Sequence, residues 1–551
     1  MESVQLTLPP SEDPPRLGAA ELRRRAARKL RITEESIQEV RTRRVSFDAR
    51  RRSRAWKLTV EVWLRGEAVP PGPRTTPPSI PRPSANAPRV VIVGSGPAGL
   101  FAALDLLEAG RNVTILERGP DVQTRRRSLR TLNRGGDPDP DSNYCFGEGG
   151  AGTYSDGKLY TRSGNKKAVR AVLETLVAHG APTEILSSWR PHVGSNRLPE
   201  VVRAIRETIV AAGGEVCFRH RAEELERDDE GLCAVVARNL ETGERERFET
   251  RACVLAAGHS ALDVLEMARR AGAALAPKGF AMGVRVEHSQ RWVDERQYGG
   301  LRGPCDLPAA FYELKTESRG RGVYSFCMCP GGFIVPATTL PAHVVVNGMS
   351  LSRRDSPFAN SGLVVQIEPE DWCRGRKPDF GFAELLERAG MDASLPSRPE
   401  DDPLFGVRIQ RALERLAARA GGGAGRAPAQ RADIVAAGDR GTSAPLRTSY
   451  RPGLTAADLA EVLPVGILER LRQALVDFDG KLPGFASESG QLIGVESRTS
   501  SPVRILRDPD TLASPTLPGL FPAGEGAGYA GGIVSAALDG RRVARACVSP
   551  G

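Results

Sequence analysis

The stretch Arg89-Val-Val-Ile-Val-Gly-Ser-Gly-Pro-Ala-Gly-Leu-Phe-Ala-Ala103 decides the fold of the central part of this 551-residue chain. Its β-branched residues predict a buried strand, the pattern G-x-G-x-x-G (Gly94, Gly96, Gly99) predicts a tight turn, and the apolar spacing that follows predicts a helix. In such a unit the first glycine permits the turn, the second lets backbone amides approach a pyrophosphate, and the third lets the helix pack close to the strand. The start of the helix would then face the phosphates with unpaired amides and a positive dipole end.

A second predicted strand, Asn112–Glu117, follows that helix and ends in an acid. Glu117 stands about 20 residues after the glycines, where an acidic residue binds the hydroxyls of an adenosine ribose. Arg118 follows it directly and is assigned to the same site, together with Pro97 and Ala98 at the start of the helix. The pattern predicts a dinucleotide-binding site, against the alternative of a glycine-rich turn between a strand and a helix. The stretch lacks the Gly-Lys-Ser/Thr ending that a P-loop needs.

A glycine-rich segment runs from Cys145 to Leu159 and reads Cys-Phe-Gly-Glu-Gly-Gly-Ala-Gly-Thr-Tyr-Ser-Asp-Gly-Lys-Leu. Backbone that carries no Cβ atoms can lie against a flat or anionic ligand. We therefore assign Gly149, Gly150 and Gly152 to the ligand site. The alternative is a plain flexible loop.

Two later segments are each predicted to contain a strand that ends in small residues. Arg247–Leu255 is predicted to be a strand that leads into Ala256 and its small neighbours, and such an end lies at the carboxyl edge of a parallel sheet, where the ligand crevice forms. Near the C-terminus, the short strand Leu520-Phe521 leads into an acid, a run of glycines and a helix. There the acid can hold sugar-like hydroxyls and the helix dipole can stabilise negative charge on a bound ring, whereas the alternative is a glycine-rich turn. The residues assigned to the site are Ala257, Gly258, Gly524, Glu525, Gly531, Gly532 and Ile533.

Together these segments resemble the FAD-binding flavoproteins of the glutathione-reductase-like superfamily. A narrower resemblance, to the largely uncharacterised FAD-dependent dehydrogenases of bacteria and plastids, covers nearly the whole chain. It implies FAD and oxidoreductase chemistry, with the acid at Glu525 on the ribityl chain, where that pattern usually has Asp. It implies no particular substrate. The segments that carry the narrower resemblance are 145–159, Pro191-His-Val-Gly194, Ser325-Phe-Cys-Met-Cys-Pro-Gly-Gly332, Asn347-Gly-Met-Ser350 and Gly494-Val-Glu-Ser-Arg-Thr-Ser-Ser-Pro502.

The predicted fold class is α/β: a discontinuous Rossmann-like FAD-binding domain with an inserted mixed β/α cap domain and a small N-terminal α+β module. A glycine- and alanine-rich stretch, Gly421–Ala429, predicts a loose surface loop within the cap. The predicted parts are a basic β-α-β-β module (1–66), a Pro-rich linker (67–88), the first part of the FAD-binding domain (89–279), the substrate or cap domain (280–485) and the C-terminal return of the FAD-binding domain (486–551).

Flavin would carry out the redox step, so the candidate catalytic residues are those able to move protons or hold charge beside it. Cys327 and Cys329 predict either redox-active thiols or packing beside the ligand, because strand spacing leaves their Cα atoms roughly 6.5–7 Å apart, near the limit for a relaxed disulfide. His192 follows a proline and precedes a glycine-containing turn, which suits an acid or base but also a structural hydrogen bond. Arg498 suits a substrate carboxylate, a reduced flavin anion or a salt bridge with Glu496.

The leading hypothesis is an FAD-dependent oxidoreductase of an unknown organic substrate. Because the sequence shows one complete dinucleotide unit, we expect electrons from the substrate, from transient NAD(P)H or from a protein donor. Residues 1–66 hold 16 Lys and Arg against nine Asp and Glu, in a chain of formal net charge +10. That excess suits either a tRNA-modifying flavoprotein that docks RNA through this module or a solvated face. A non-catalytic FAD-binding protein is the third hypothesis.

The composition, with 40% hydrophobic and 26% charged residues, is that of a globular protein. The longest apolar run, Val90–Leu107, contains three glycines and Asp105, so it fits a strand, turn and helix better than a membrane span. The N-terminus lacks the pattern of a secretory signal. Nine cysteines without a C-x-x-C pair or a Cys/His cluster predict buried thiols and no metal site. We therefore expect a cytoplasmic protein.

Overall fold

The computed structural model describes residues 1–14, 17–50, 54–161, 163–305, 307–377 and 379–548 of the chain. Residues 549–551 of the predicted C-terminal return lie outside the described residues, as do the short gaps between these ranges. The model is a mixed α/β structure whose largest sheets have five and seven strands.

The N-terminal module has the predicted β-α-β-β order. Its three strands form an antiparallel sheet in the order β1-β3-β2, and one helix covers one face. Leu22 and Ala26 of the helix pack against Leu58 and Val60 of the central strand, so alternate positions of that strand are buried. The elements are β1 (Glu2–Leu8), α1 (Ala19–Leu30), β2 (Ile37–Asp48) and β3 (Ala55–Leu64).

The rest of the chain forms one long series of elements. From residue 89 these are β4 (Arg89–Val93), α2 (Pro97–Glu108), β5 (Asn112–Glu117), α3 (Val122–Leu132), α4 (Lys166–Ala178), α5 (Leu198–Ala211), β6 (Glu215–Phe218), β7 (His220–Asp228), β8 (Gly231–Asn239), β9 (Arg245–Glu249), β10 (Cys253–Leu255), α6 (Leu262–Arg270) and β11 (Leu275–Pro277). From residue 280 they are β12 (Phe280–Ser289), α7 (Gln290–Tyr298), α8 (Arg302–Cys305), β13 (Lys315–Ser318), β14 (Arg321–Cys329), β15 (Gly332–Pro336), β16 (Val346–Ser350), β17 (Phe358–Ile367), α9 (Phe382–Arg388), α10 (Phe405–Gly421), β18 (Ala427–Arg431), α11 (Ala432–Ala437), β19 (Leu454–Ala456), α12 (Val465–Lys481), β20 (Gln491–Glu496), β21 (Val503–Ile505), β22 (Leu520–Pro522) and α13 (Ile533–Val548).

The parallel sheet has the strand order β22-β10-β4-β5-β6. Strands β5 and β6 are added on one side of β4, and β10 and β22 on the other, so the strand order reverses at β4. Such a reversal is where α/β sheets bind ligands, outside the carboxyl ends of the strands. Val93 at the end of β4 lies opposite Leu116 of β5 and Leu255 of β10, and Leu255 lies opposite Pro522 of β22. The residues that follow these four strands therefore meet at one edge of the sheet, although they are far apart in sequence.

The helices that begin at this edge, α2 and α13, pack directly on each other. A Cβ atom placed on Gly540 of α13 would come within 2.1 Å of the carbonyl oxygen of Ala98 in α2. Glycine at position 540 thus permits backbone contact between the helices. The first residues of the two helices, Pro97 and Ile533, both border Gly152, since a Cβ atom there would lie 3.8 and 3.0 Å from their side chains.

The predicted strand Arg247–Leu255 is in fact two strands in two different sheets. Its first half is β9, in the antiparallel sheet β7-β8-β9, and its second half is β10, in the parallel sheet. Thr250 breaks the run because its side-chain oxygen accepts a hydrogen bond from the Ala252 amide at 3.0 Å and donates to the Arg89 carbonyl at 2.8 Å. A threonine that bonds to nearby backbone in this way competes with regular strand pairing.

Two expectations about the cap also need correction. Gly421–Ala429 is not simply a loose loop, because its last residues enter β18, a buried strand between β20 and β19 of the seven-stranded sheet. Small alanines fit that narrow position, although their composition suggested disorder. Strand β20, which the sequence placed in the C-terminal return, is buried throughout and pairs with β12 and β18. The cap sheet, in the order β13-β14-β17-β12-β20-β18-β19, therefore takes a strand from beyond residue 485.

Candidate active site

The glycines of the G-x-G-x-x-G turn divide into two structural roles. Gly94 has φ +102°, and a Cβ atom on it would lie 2.5 Å from the carbonyl oxygen of Ala256; a Cβ atom on Gly99 would lie 2.0 Å from the Gly94 carbonyl. These two glycines are needed for the turn and for close packing. By contrast, a Cβ atom on Gly96 would meet no protein atom within 4 Å. The same open space lies beside Gly258, Gly531 and Gly532.

This open space belongs to a cavity of about 1570 Å³ between the parallel sheet and the cap. A pocket for a single small ligand is typically about 300–1,000 Å³, so the cavity has room for a cofactor and a second molecule. Of the residues predicted from the sequence, Gly99, Gly149, Gly524, His192 and Cys329 do not line it. Those that do are Gly94, Gly96, Pro97, Ala98, Glu117, Arg118, Gly150, Gly152, Ala257, Gly258, Cys327, Arg498, Glu525, Gly531, Gly532 and Ile533.

Glu117 ties the glycine-rich loop to the end of the parallel sheet. Its carboxylate accepts hydrogen bonds from the amide and hydroxyl of Ser95 at 3.0 and 2.7 Å, and from the amides of Gly119 and Gly147 at 2.9 and 3.1 Å. The carboxylate thus already has four partners within the chain. In addition to any contact with a ligand, Glu117 fixes the glycine-rich loop against the G-x-G-x-x-G turn.

The fully buried Arg125 closes the loop from its other side. Its guanidinium donates to the carbonyl oxygens of Asn143, Glu148 and Gly150 at 2.9, 3.0 and 2.9 Å. A charged group buried in this way is held by carbonyl oxygens instead of a carboxylate. These hydrogen bonds therefore fix the glycine-rich segment, for which the sequence allowed a plain flexible loop as the alternative.

Arg118 and Glu525 lie at different parts of the cavity wall. The Arg118 guanidinium pairs with Asp141 and Asp263, each at 2.9 Å, and lies 4.3 Å above the centre of the Phe146 ring. Glu525 has its Oε1 3.5 Å from Nδ1 of His259. Because two carboxylates and the Phe146 ring contact it, the Arg118 guanidinium is rigidly positioned.

Facing the cavity from the cap, Cys327 lies beside a lysine of the glycine-rich segment. The Nζ of Lys158 is 3.5 Å from Sγ of Cys327 and 3.6 Å from Sγ of Cys329, and both cysteines are unpaired thiols. Cys327 interrupts β14 at a bulge and has φ +45°, a conformation that a side chain other than glycine rarely adopts. The regular strand spacing assumed from the sequence does not apply to this pair.

The charges around Cys327 favour its thiolate. The Cys329 thiol, as a hydrogen-bond donor, and the Lys158 and Arg285 cations together outweigh burial and hold the pKa of Cys327 well below its usual value. Burial alone would lower the pKa of Lys158, but Asp156, 3.4 Å away, and the two cysteines raise it instead. The pair is therefore best described as a thiolate beside an ammonium group.

Behind Cys327, Arg285 and Glu496 form a buried pair. Arg285 donates to the Cys327 carbonyl at 2.9 Å and to Oδ1 of Asn347 at 2.9 Å, and its Nη1 lies 2.9 Å from Glu496. Burial raises the pKa of Glu496 to about 7, with Arg285 acting in the opposite direction. Arg285 thereby holds the unusual backbone of Cys327 in place.

The alternative pairing of Arg498 with Glu496 is wrong. Arg498 forms a bidentate pair with Glu414, at 2.8 and 2.7 Å, and donates to Oγ1 of Thr339 at 2.9 Å. Its guanidinium is buried yet lines the cavity, so it presents a fixed positive charge there.

His192 lies behind the cavity wall. Its Nε2 is 3.1 Å from the carbonyl oxygen of Ser352, so Nε2 carries the proton that is donated there. Burial, together with the nearby Arg354, lowers the pKa of His192 to about 4. A neutral, hydrogen-bonded imidazole fits the structural alternative better than the acid or base.

Lys158, Asp156, Arg285 and Glu414 are site residues that the sequence analysis did not single out. Lys158 stood inside the quoted glycine-rich segment, and a lone lysine among glycines was the only available indication. Asp156 stands in the same segment, two residues before its partner Lys158. Arg285 and Glu414 carry no local pattern, because their partners Glu496 and Arg498 lie far away in sequence.

Three family models match the chain and cover most of it. The FAD dependent oxidoreductase model matches residues 89–339, the model described as FAD-dependent protein, C-terminal domain-like matches 279–499, and a domain of unknown function matches 1–63. The chain is also 40% identical over 459 residues to an uncharacterized protein of Clostridium beijerinckii, which covers 83% of this chain and 80% of the relative. None of these matches supports the nucleic-acid partner suggested by the basic module.

Solved structures superpose only loosely. The glycerol-3-phosphate dehydrogenase from Bacillus halodurans complexed with FAD is 15% identical and matches 52% of this chain and 48% of that one, with a TM-score of 0.27. A geranylgeranyl bacteriochlorophyll reductase-like protein from Thermoplasma acidophilum is 13% identical and matches 84% and 78%, with a TM-score of 0.33.

The fold and the two matched FAD models define this protein as an FAD-dependent oxidoreductase. The chain belongs to the same family as the Clostridium beijerinckii protein, and its cofactor is FAD. The predicted fold class, the enzyme class and the cofactor are thereby confirmed, and the non-catalytic alternative is set aside. No helix of the described residues is long and apolar enough to cross a bilayer.

Proposed function

We propose that the enzyme removes a hydride and a separate proton from a small organic substrate that lies between the glycine-lined sheet edge and Cys327. The observation that carries the proposal is the single cavity that joins Gly96 and Gly532 to Cys327 and Arg498. Two sets of groups, one suited to a dinucleotide and one suited to proton transfer, thus face the same space. The substrate itself is left open.

Gly96, Gly258, Gly531 and Gly532 fit FAD because they leave open space where side chains would otherwise stand. We assign the adenosine end to the turn after β4 and to Glu117 and Arg118, and the flavin end to Glu525 and the start of α13. The loop between these ends supplies backbone for the phosphates. The predicted residues Gly99, Gly149 and Gly524 face other parts of the protein, so we propose that they serve the packing of these segments. The residues proposed to hold FAD are the predicted ones that line the cavity: Gly94, Gly96, Pro97, Ala98, Glu117, Arg118, Gly150, Gly152, Ala257, Gly258, Glu525, Gly531, Gly532 and Ile533.

Bound FAD supplies the acceptor for a hydride or two electrons. In our proposal the Cys327 Sγ takes the proton that the substrate loses, and the thiol so formed returns that proton to solvent through the cavity. Lys158 and Cys329 are positioning residues that keep Sγ anionic before the substrate arrives. Arg498 holds a negatively charged group of the substrate, since its own carboxylate partner fixes it in place.

Several narrower assignments are part of the same proposal. We place the enzyme in the cytoplasm, because all nine cysteines are unpaired thiols, as in a reducing compartment. Transient NAD(P)H is one source of electrons when the enzyme runs in the reductive direction. Membership of the glutathione-reductase-like superfamily, and of a family shared with plastids, stays a prediction.

Anaerobic reduction of the bound flavin tests this function. The FAD-loaded enzyme is mixed with small-molecule fractions of a cell extract and with NADPH, and bleaching of the flavin absorbance is followed. We expect at least one metabolite fraction to bleach the flavin, and Cys327→Ser to slow that reaction by about 100-fold or more, the usual effect of losing a general base. Cys233→Ser, on β8, is the matched control and should react like the wild type.

Two outcomes contradict the proposal. If Cys327→Ser reduces its flavin as fast as Cys233→Ser, Cys327 is not the base. If no fraction and no nicotinamide cofactor bleaches the flavin, the substrate is not a small diffusible molecule. Neither outcome affects the assignment of FAD, which rests on the family and is checked separately by release of the cofactor.

A further inference from the structure

The outer end of the cavity is lined by exposed aromatic side chains. Among the described residues, the most exposed aromatic side chains are Trp189 (46%), Tyr160 (41%), Phe326 (39%) and Tyr324 (38%), and all four line this cavity. Large exposed aromatic surface is unfavourable in water, so its concentration at one opening marks a binding surface. Their faces suit a flat, unsaturated molecule.

The same opening carries an excess of positive charge. The Arg190 guanidinium stacks near the rings of Trp189 and Tyr160, at 5.0 and 5.1 Å, and pairs with Glu313 at 2.8 Å. Arg44 and Lys315 also line the cavity, and neither has an ion pair with a carboxylate within the described ranges. With Glu313 already paired, the two free cations favour a ligand with negative charge.

One of these cations comes from the N-terminal module. Strand β2 docks beside Trp189: the Val45 amide donates to the Ser187 carbonyl at 2.8 Å, and the Trp189 amide donates to the Val45 carbonyl at 3.0 Å. This pairing places the Arg44 guanidinium 5.9 Å from the centre of the Trp189 ring. The far end of β2 reaches the cap, where the Phe47 ring packs edge-on against Tyr298 with centroids 5.4 Å apart.

We propose that the N-terminal module completes the entrance of the active-site cavity and that this entrance selects planar aromatic molecules that carry negative charge. The inference rests on the proposed function in one respect, that the cavity is the active site. It gives the basic module a place in the enzyme that needs no nucleic acid. Two sources share this chemistry, an aromatic acid used as substrate and the nicotinamide dinucleotide of NAD(P)H.

Binding to the FAD-loaded, full-length enzyme tests the proposal. The probes are 2-naphthoate, its neutral amide, cyclohexanecarboxylate and NADPH, measured by titration calorimetry. We expect 2-naphthoate to bind more tightly than both the neutral amide and the non-aromatic acid. Arg44→Gln and Trp189→Ala should each weaken 2-naphthoate by about fivefold to tenfold, the size of a cation or stacking contact at a half-exposed site.

The chain offers a closely matched control in Arg43→Gln. Arg43 precedes Arg44 on β2 but lies 3.7 Å from Glu61, and it lines a separate cavity of about 840 Å³ that α2 and α4 also line. It should leave binding unchanged. Equal losses in both arginine variants, or equal affinity for the anion, the amide and the non-aromatic acid, would overturn the proposal.

The remaining outcomes distinguish the two sources of the ligand, and they distinguish the entrance proposal from the proposed function. If NADPH competes with 2-naphthoate and is also weakened by Trp189→Ala, the entrance receives the dinucleotide; if only 2-naphthoate binds, it receives an aromatic substrate. FAD content and the alkylation rate of Cys327 are measured in every variant. A failure of Cys327→Ser to slow the flavin reaction contradicts the proposed base, whereas normal binding by Arg44→Gln contradicts only the entrance.

Discussion

On the sheet side of the cavity, Gly96, Gly258 and Gly532 leave open space and present backbone, whereas on the cap side Cys327 and Lys158 present a thiolate and an ammonium group 3.5 Å apart. The sheet side binds phosphates and rings through backbone atoms, which every residue has. The binding site on this side therefore requires residues without side chains. The cap side depends on particular side chains whose charges hold one another in place. The first side defines a cofactor, and the second defines the chemistry done with it.

The two sides also differ in the effect that a substitution should have on the enzyme. On the sheet side an added side chain occupies the space of the cofactor itself. On the cap side a lost side chain leaves the cavity intact but changes a charge or a pKa. The predictions below use this difference and run from the largest expected effect to the smallest.

Gly96→Val should remove FAD from the enzyme, because the added side chain would project into the open space of the cavity. We expect binding at least about 100-fold weaker, corresponding to about 3 kcal/mol or more. The measurement is the flavin absorbance of the purified protein and the FAD released on denaturation. Gly164→Val, at an exposed glycine outside the cavity with open space around it, is the control. A yellow Gly96→Val protein would show that this glycine does not face the cofactor.

Glu414→Gln should destabilise the fold, because it leaves the buried Arg498 without its carboxylate. Breaking a buried ion pair in this way costs about 3–5 kcal/mol. Urea unfolding measures the free energy of unfolding. Glu295→Gln removes the exposed partner of Arg291, 2.8 Å away, and should cost less than about 1 kcal/mol. Similar losses in both variants would mean that Arg498 finds another partner or water.

Lys158→Met should make Cys327 less reactive at neutral pH. The pKa of Cys327 is lowered in the wild type, so thiolate is present at pH values below the usual thiol range, and loss of the lysine shifts the profile to higher pH. At pH values below the midpoint of the profile, each unit of that shift slows alkylation about tenfold. Iodoacetamide labelling of the Cys327 peptide, followed by mass spectrometry, gives the rate at each pH.

The exposed Lys167→Met variant is the control for Lys158. It should reproduce the wild-type profile. An unchanged profile in Lys158→Met would mean that the thiolate is stabilised by other groups, and the cap side would then lose its main electrostatic feature.

Cys329→Ala should shift the Cys327 profile in the same direction but by less. Its thiol is a weak donor without charge, so a change of about threefold in the alkylation rate is expected at pH values below the midpoint of the profile. Cys373→Ala, at a buried thiol in the cap, should have no effect. A loss as large as that in Lys158→Met would instead indicate that the two sulfurs act as one unit.

The sequence predicted those parts that are encoded locally. The strand, turn and helix of residues 89–108, the order of elements in residues 1–66 and the strand end at Glu117 all follow from short patterns, and the structure has them at these positions. The predicted strand of residues 247–255 was wrong because one threonine bonds to its neighbours and redirects the chain. Strand β20 was assigned to the return because the dinucleotide-type signals resume after residue 490, although the strand pairs with β12 and β18 of the cap sheet.

The cap side of the site was less predictable for a physical reason. Lys158 and Cys327 are separated by 169 positions, and Glu414 and Arg498 by 84. A pattern of residue types records what a segment prefers by itself, but it does not record which distant segment will supply its counter-charge. The sequence suggested Cys327 and Arg498 as candidates. It named no charged partner for Cys327, and the partner that it suggested for Arg498, Glu496, was wrong.

By itself, then, the amino-acid sequence determined the dinucleotide side of this oxidoreductase, because glycine's freedom of conformation and its missing side chain act within a few residues. Only the tertiary structure decided what faces that side. Folding brought Lys158 to Cys327, turned Arg498 toward Glu414 and set Arg44 beside Trp189. Charges and rings interact over a few ångströms of space, whatever their distance along the chain.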